Sequence, residues 1–272
     1  MLKAPKFWYK NKISILALML LPVSLIWIIG TFFKKKFAQP IRSKIPVIAV
    51  GSAIIGGSGK TPSVIYVCEI LEKMGYKPHI ISRGYGGSAN EVVKVTPEMN
   101  YSIVGDEAIM MSKYYPTWVS KNKYNAFSIA EKDGANILVL DDALQSYNVF
   151  KNLNIYVYDS IQSFGNKLIV PSGPLRESIN NVLNRSHIVF LVNTDNCPEI
   201  SKDLFQQNIN YELSIKPEIS DKKLMPFAGL GFNKKFFDQL YNEGLDITLT
   251  KEFPDHHKYS QDDMFALLDE AN

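Results

Sequence analysis

Only two of the 272 residues are cysteine, Cys68 and Cys197, and they stand far apart. That scarcity excludes a disulfide framework and a cysteine-based zinc site, and it fits a reducing compartment. Residues 1 to 44 contain no acid at all but nine lysines and arginines, so the formal charge of +3 is unevenly spread. The rest of the chain holds 21 basic against 27 acidic residues. A mildly acidic folded part argues against nucleic acid as a partner, whereas a basic leading segment suits anionic lipid headgroups. There is no internal repeat and no low-complexity tract. With 46% hydrophobic residues, the chain can bury the core of one larger domain or two small ones.

Charge is also missing from Ile13 to Phe33, a run of 21 residues. This is about the length that crosses a hydrocarbon layer of roughly 30 Å. Lys3, Lys6, Lys10 and Lys12 precede the run, with Trp8 and Tyr9 as expected interfacial aromatics; Lys34, Lys35, Lys36, Arg42 and Lys44 follow it. Basic residues on both sides leave the orientation open. The segment either spans the bilayer or lies in the inner leaflet as a helix kinked at Pro22. A cleaved signal peptide has a shorter apolar run and a small-residue cleavage pattern. A buried core helix is the remaining reading.

From Lys44 onward, apolar runs alternate with helical spacing. "KIPVIAVGS" reads as a buried strand, "AIIGGSGKT" as a loop, and "PSVIYVCEILEKMG" as a helix ending near Gly75. Further strands are expected at "KPHIISRG", "ANILVLDDA", "LNIYVYDS" and "SHIVFLVN". This βαβ rhythm predicts a largely parallel sheet covered by helices. After about Ser214 the pieces shorten to "LMPFAGLG", "KKFFDQLYNEG" and "DITLTKEF". The expected organisation is therefore a basic membrane anchor over 1–44, a phosphate-loop core over 45–214 and a smaller C-terminal α/β lobe over 215–272.

In the loop, Gly56, Gly57, Ser58 and Gly59 allow backbone N–H groups to turn toward phosphate oxygens, Lys60 reaches the β/γ-phosphates, and the Thr61 hydroxyl suits Mg²⁺. The strict pattern has glycine where Ile54 stands. Downstream, "ILVLDD" ends an apolar strand in Asp141 and Asp142, acids that can serve Mg²⁺ beside such a loop. Arg83 in "ISRGYGG", Asp106 and Glu107 in "VGDEA", Arg176 and Glu177 in "VPSGPLRES", and Asp255, His256 and His257 in "FPDHHKY" form further constellations. Each also has a plainer reading: Asp106 as a helix N-cap, Arg176 as a surface charge, the histidines as exposed loop residues. Adjacent histidines on an extended chain point to opposite faces, which argues against a two-histidine metal site.

Together "VGS..IGGSGKTP", "SRGYGG", "GDEA", "DDALQ", "FGNKLIVPSGPLRE", "FAGLG" and "DHHKY", in this order, resemble the tetraacyldisaccharide 4′-kinases, the lipid A 4′-kinases of Gram-negative bacteria. The resemblance implies a P-loop NTPase-like parallel core with a smaller lobe. The implied reaction moves the ATP γ-phosphate to the 4′-hydroxyl of a tetraacyl disaccharide 1-phosphate at the cytoplasmic face of the inner membrane, with ATP and Mg²⁺ and as a monomer. Carried over, Lys60 is the phosphate lysine, Thr61, Asp141 and Asp142 serve the metal, and Asp106 is the acid/base supported by His256. Arg83, Glu107, Arg176 and His257 are candidate substrate contacts. Departures are Ser52, Ala143 and Ser146, where the family usually has asparagine, glycine and histidine. Family members continue past "DHHKYSQDDMFALLDEAN" with a further strand and helix, so the resemblance makes this a shortened lobe. The competing class is a membrane-associated ATPase switch of the partitioning or cell-division type. Such switches carry a signature lysine ahead of the glycine pair, where Ile55 stands here. A GTP switch lacks support because "FLVNTDN", with Asn193 and Asp195, lacks the guanine-reading spacing.

Overall fold

The computed structural model describes residues 5–9, 12–194, 197, 200, 204–211, 222–255 and 257–271. His256, Lys3, Lys10 and Asp195 lie outside the described residues. The chain divides into two compact units, Lys6–Asn210 and a smaller one of Met1–Pro5 with Tyr211–Asn272.

The larger unit is built on an eight-stranded sheet. Its strands are β1 (Val47–Gly51), β2 (Pro78–Ser82), β3 (Val93–Val95), β4 (Thr117–Val119), β5 (Ile137–Leu140), β6 (Leu153–Asp159), β7 (Ile188–Val192) and β8 (Phe205–Ile209). Their order is β3-β4-β2-β5-β1-β6-β7-β8. All neighbours pair in parallel except β3 with β4. β1, β2 and β5 are buried along their whole length, as near-continuous Val, Ile and Leu runs require when both faces are covered. The chain leaves β5 on one side of β1 and re-enters at β6 on the other. That reversal opens a crevice at the C-terminal end of β1, where ligands of open α/β sheets sit.

Helices α3 (Lys60–Lys73), α4 (Tyr101–Val104), α5 (Asp106–Ser112), α6 (Phe127–Lys132) and α7 (Ile179–Leu183) follow strands and return the chain. Cys68, on the buried face of α3, and Cys197 are both free and buried. The apolar run before the sheet forms two helices, α1 (Ile15–Met19) and α2 (Leu21–Lys36). The break falls at Leu20, two residues before the expected kink at Pro22. A proline ring clashes with the carbonyl four residues back, so Pro22 is accommodated in the first turn of a new helix. Among the described residues, no helix is long and apolar enough to cross a membrane.

Only small residues of this pair are buried, Ala17 and Ser24, while Ile15 is 78% and Ile26 70% exposed. The Ser24 hydroxyl donates to the Ile169 carbonyl at 2.8 Å and accepts the Ser172 amide at 3.2 Å. The Trp27 indole donates to the Arg176 carbonyl at 3.0 Å. Trp8, expected at a lipid interface, is instead buried in the larger unit and donates to the Pro171 carbonyl at 3.0 Å.

In the smaller unit, β9 (Phe227–Ala228) and β10 (Lys251–Glu252) pair in parallel, accompanied by α8 (Asn233–Asn242) and α9 (Gln261–Ala271). Phe227, Phe253, His257 and Tyr259 form an aromatic cluster with ring centroids 4.6 to 5.3 Å apart along the chain of closest contacts.

Candidate active site

The ends of β1, β2 and β5 lie side by side, so the loops leaving them share one edge. The loop after β1 closes on Gly59, whose φ of 75° is a left-handed value that favours glycine. Helix α3 starts at once with Lys60. The Lys60 ammonium donates to the Gly56 carbonyl at 3.0 Å, and the Ser58 amide donates to the same oxygen at 3.0 Å. Ile54, in the place of the expected glycine, is buried and bridges to Leu175. The side chain faces the core, which is why the position tolerates it.

The Thr61 hydroxyl donates to Glu107 Oε1 at 3.2 Å, which brings the first turn of α3 to the first turn of α5. Asp106 opens α5 and accepts the Glu107 amide at 2.9 Å, so its carboxylate sits at the positive end of a short helix. The turn that bears it packs against "SRGYGG". A Cβ on Gly105 would stand 2.4 Å from the Tyr85 carbonyl, and one on Gly87 2.4 Å from that of Ile103. These glycines permit two backbones to touch, and Arg83 is exposed at their junction.

At the end of β5, Asp141 accepts the Ser82 hydroxyl at 2.9 Å, while its other carboxylate oxygen is buried with no hydrogen-bond partner. Lys123, only 6% exposed, donates to the Asp141 carbonyl at 2.6 Å. Burial pushes the Asp141 carboxyl up, opposed by the Lys123 ammonium, and burial pulls Lys123 down. Asp142 adopts a left-handed φ of 45° and receives Arg176 Nη1 at 2.9 and 2.8 Å. Burial raises the Asp142 carboxyl, but Lys60, Arg176 and Lys123 together bring it down to about 2.

The next residue, Glu177, is buried and holds Arg185 and Gln145, the latter at 2.8 Å; Gln145 also donates to the Ser52 carbonyl at 3.1 Å. Arg176 and Glu177 thus clamp both ends of the "DDALQ" turn. Lys151 fastens the same turn by donating to the Ser146 carbonyl at 2.9 Å, and burial lowers its ammonium to about 8.

The structure therefore gathers Gly56, Gly57, Ser58, Gly59, Lys60, Thr61, Glu107, Asp141, Asp142 and Arg176 along one sheet edge, with Asp106 and Arg83 in the adjoining turns. His257 belongs to the smaller unit, where its ring stacks on Phe253 at 4.6 Å and meets Asp263 Oδ2 at 3.1 Å. Sequence reasoning missed Lys123, Ser82, Lys151 and Arg185. Only Ser82 carried a signal, since it begins the "SRGYGG" motif.

Among the described residues, no group of three or more His, Cys, Asp or Glu is placed to hold a metal ion by itself. Mg²⁺ keeps several waters and takes only one or two carboxylates plus substrate phosphates. The unpartnered Asp141 oxygen and the Thr61 hydroxyl fit that limited demand.

A parallel sheet with a glycine loop, a lysine and paired aspartates on the crevice edge defines an α/β phosphoryl-transfer enzyme. The sequence matches the tetraacyldisaccharide-1-P 4′-kinase (LpxK) family over residues 16–272. It is 35% identical to the tetraacyldisaccharide 4′-kinase of Rhodospirillum rubrum over 283 residues, 99% of this chain and 84% of that one. Against the same enzyme of Rickettsia akari it is 32% identical over 274 residues, covering 98% and 84%. The solved "apo" form of LpxK from Aquifex aeolicus in complex with ATP superimposes with a TM-score of 0.78 at 25% identity, over 91% of this chain and 84% of that one. The chain belongs to the tetraacyldisaccharide 4′-kinase family. The partitioning-type ATPase switch has no support among these relatives.

Proposed function

We propose that this protein transfers the γ-phosphoryl group of ATP to the 4′-hydroxyl of a tetraacyl disaccharide 1-phosphate, a lipid A precursor, at the cytoplasmic face of the bacterial inner membrane. The observation that carries this reading is the pairing of a phosphate loop with the Asp141–Asp142 strand end on one edge, in a chain of this family. The core is P-loop-like, and residues 215–272 form the smaller lobe.

A sugar hydroxyl is a weak nucleophile, so the site must take its proton and neutralise charge on the phosphoryl oxygens. Asp106 accepts the proton as the hydroxyl oxygen bonds to the γ-phosphorus and the bond to the ADP oxygen breaks; the family resemblance adds His256, which lies outside the described residues, as its supporting group. Lys60 leaves the Gly56 carbonyl to face the β/γ-phosphates, and the backbone amides of Gly57 to Lys60 orient them. Thr61 and Asp141 would hold Mg²⁺, which when bound offsets phosphate charge. Asp142, fixed by Arg176, keeps the loop lysine oriented. Arg83 and Glu107 are proposed to face the disaccharide phosphate and sugar.

The exposed apolar sides of α1 and α2, closed by Lys34, Lys35 and Lys36, lie in the inner leaflet as an interfacial anchor. The anchor confines the enzyme to the surface from which the sugar headgroup projects, and the monomer suffices for that geometry. Incubating the protein with labelled ATP and the disaccharide 1-phosphate in detergent, then separating lipids, tests the proposal. A doubly phosphorylated lipid is expected; ATP consumption independent of acceptor would overturn it.

A further inference from the structure

Gln162 stands in the turn after β6, one strand away from the phosphate loop. It is 2% exposed, and neither its amide nitrogen nor its amide oxygen has a hydrogen-bond partner. A buried primary amide with nothing to bond is costly and calls for a reason. Its amide lies against Gly56, beside the Tyr9 hydroxyl. A Cβ there would lie 3.4 Å from Gln162 Nε2 and 3.7 Å from Oε1. The turn that carries Gln162 is fixed on both sides, because the Ile161 amide donates to Asp159 Oδ1 at 3.0 Å and the Ser163 amide to the Asp159 carbonyl at 2.7 Å. The amide is therefore held in place against the loop.

The loop meanwhile satisfies itself. Two of the donors that a phosphate would need, the Ser58 amide and the Lys60 ammonium, both point at the Gly56 carbonyl. When they turn to a phosphate, that carbonyl loses both partners at once. The flanking peptide is free to rotate, since Gly56 has a φ of 121° and a Cβ on Gly57 would meet nothing within 4 Å. Upstream, the Ile55 amide is tied to the Pro174 carbonyl at 2.9 Å, which confines the rotation to the glycine pair.

We infer that Gln162 is a positioning residue for the phosphate loop, its side-chain amide donating to the Gly56 carbonyl when Lys60 and Ser58 leave that oxygen for a bound nucleotide. The inference rests on the proposed nucleotide role of the loop. It explains both orphans together: the amide lacks a partner in the resting loop, and the carbonyl would lack one in the loaded loop. Loading thus exchanges one set of donors for another without leaving the carbonyl bare.

The test uses the full chain in detergent and measures binding of a non-hydrolysable ATP analogue by calorimetry. Gln162→Met, similar in volume and unable to donate, should leave the nucleotide-free melting temperature unchanged or raised while weakening the analogue about tenfold, the loss of roughly one net hydrogen bond. The apparent KM for the lipid should not move. Gln162→Leu serves as the second variant. In a Lys60→Met background the Gly56 carbonyl keeps only the Ser58 amide and its second acceptor site is open to the glutamine, so there Gln162→Met should lower the nucleotide-free melting temperature by about 2–4 °C. Unchanged analogue affinity, or equal thermal effects in both backgrounds, would overturn the inference. If the unaltered protein fails to bind the analogue at all, the nucleotide reading fails first, which is a distinct result.

Discussion

The crevice edge of the sheet and the helix pair that precedes it invert the usual rule of burial in opposite senses. At the edge, Lys123, Asp141 and Glu177 are charged groups taken out of water. On α1 and α2, leucines, isoleucines and phenylalanines are exposed while a serine is buried. Each inversion weakens the isolated fold, since buried charge needs partners and exposed hydrocarbon gains nothing. The two regions differ in how they compensate. The edge satisfies most of its charges internally, through Arg176, Arg185 and Ser82. The helix pair satisfies only its narrow polar side and leaves the wide apolar side for something outside the chain. Chemistry thus demands preorganised partners, whereas the surface attachment proposed for α1 and α2 demands only exposed area.

The largest expected effect lies at the edge. Lys60→Ala should abolish phosphoryl transfer while leaving the melting temperature within a few degrees, because this ammonium is half-exposed and its present contacts are with the loop itself. Undiminished turnover would remove the loop from the mechanism. Next, Asp106→Ala should lower kcat by about 10²–10⁴, the range for a positioned base. His256→Ala should do the same, and the double variant should be little worse than the poorer single one; full multiplication of the two losses would separate them. A stability effect follows in size. The Asp142 carboxyl sits near 2 when folded, below its ordinary value, so the stability it contributes is present above about pH 4 and lost as pH falls through 2. Arg176→Ala should remove part of that contribution, the rest being held by Lys60 and Lys123, and make the melting temperature less dependent on pH between 4 and 2, as read by thermal denaturation at stepped pH. The smallest effect belongs to the other region. Ile26→Asp should raise the apparent KM for vesicle-presented lipid about tenfold and leave the KM for ATP alone. Equal loss in both would mean that α2 works as part of the core. Deleting residues 1–36 is a blunter version, because it also removes Trp8 and Ser24 from their partners in the larger unit.

Those experiments concern features that were unequally legible in the sequence. The five strands read from "KIPVIAVGS" onward through "SHIVFLVN" are apolar and largely buried, so composition alone marks them. β3 and β4 escaped because each has three residues, too few for any period to show. β8 escaped because most of its five residues face solvent and alternate weakly. The glycine loop was legible because only a few residue types can make such a turn. Lys123 was not: "SKNKYN" looks like a solvated turn, and its burial follows from where β4 ends in the sheet. Trp8 misled for the opposite reason, since an aromatic beside a greasy run fits a lipid interface as well as a protein groove.

The hydrogen bonds from Ser24 and Trp27 reach the segment 169–176, about 145 to 149 residues away in sequence, and that segment ends in the arginine that grips Asp142. Together with the covalent connector at residues 37–46, this makes α2 a bracket with two fixings. A rope would let the body swing at any angle to the surface beneath it. A bracket sets its height and tilt, so that, if α2 seats on the membrane as proposed, the arginine's distance from that surface is set by the same fixings.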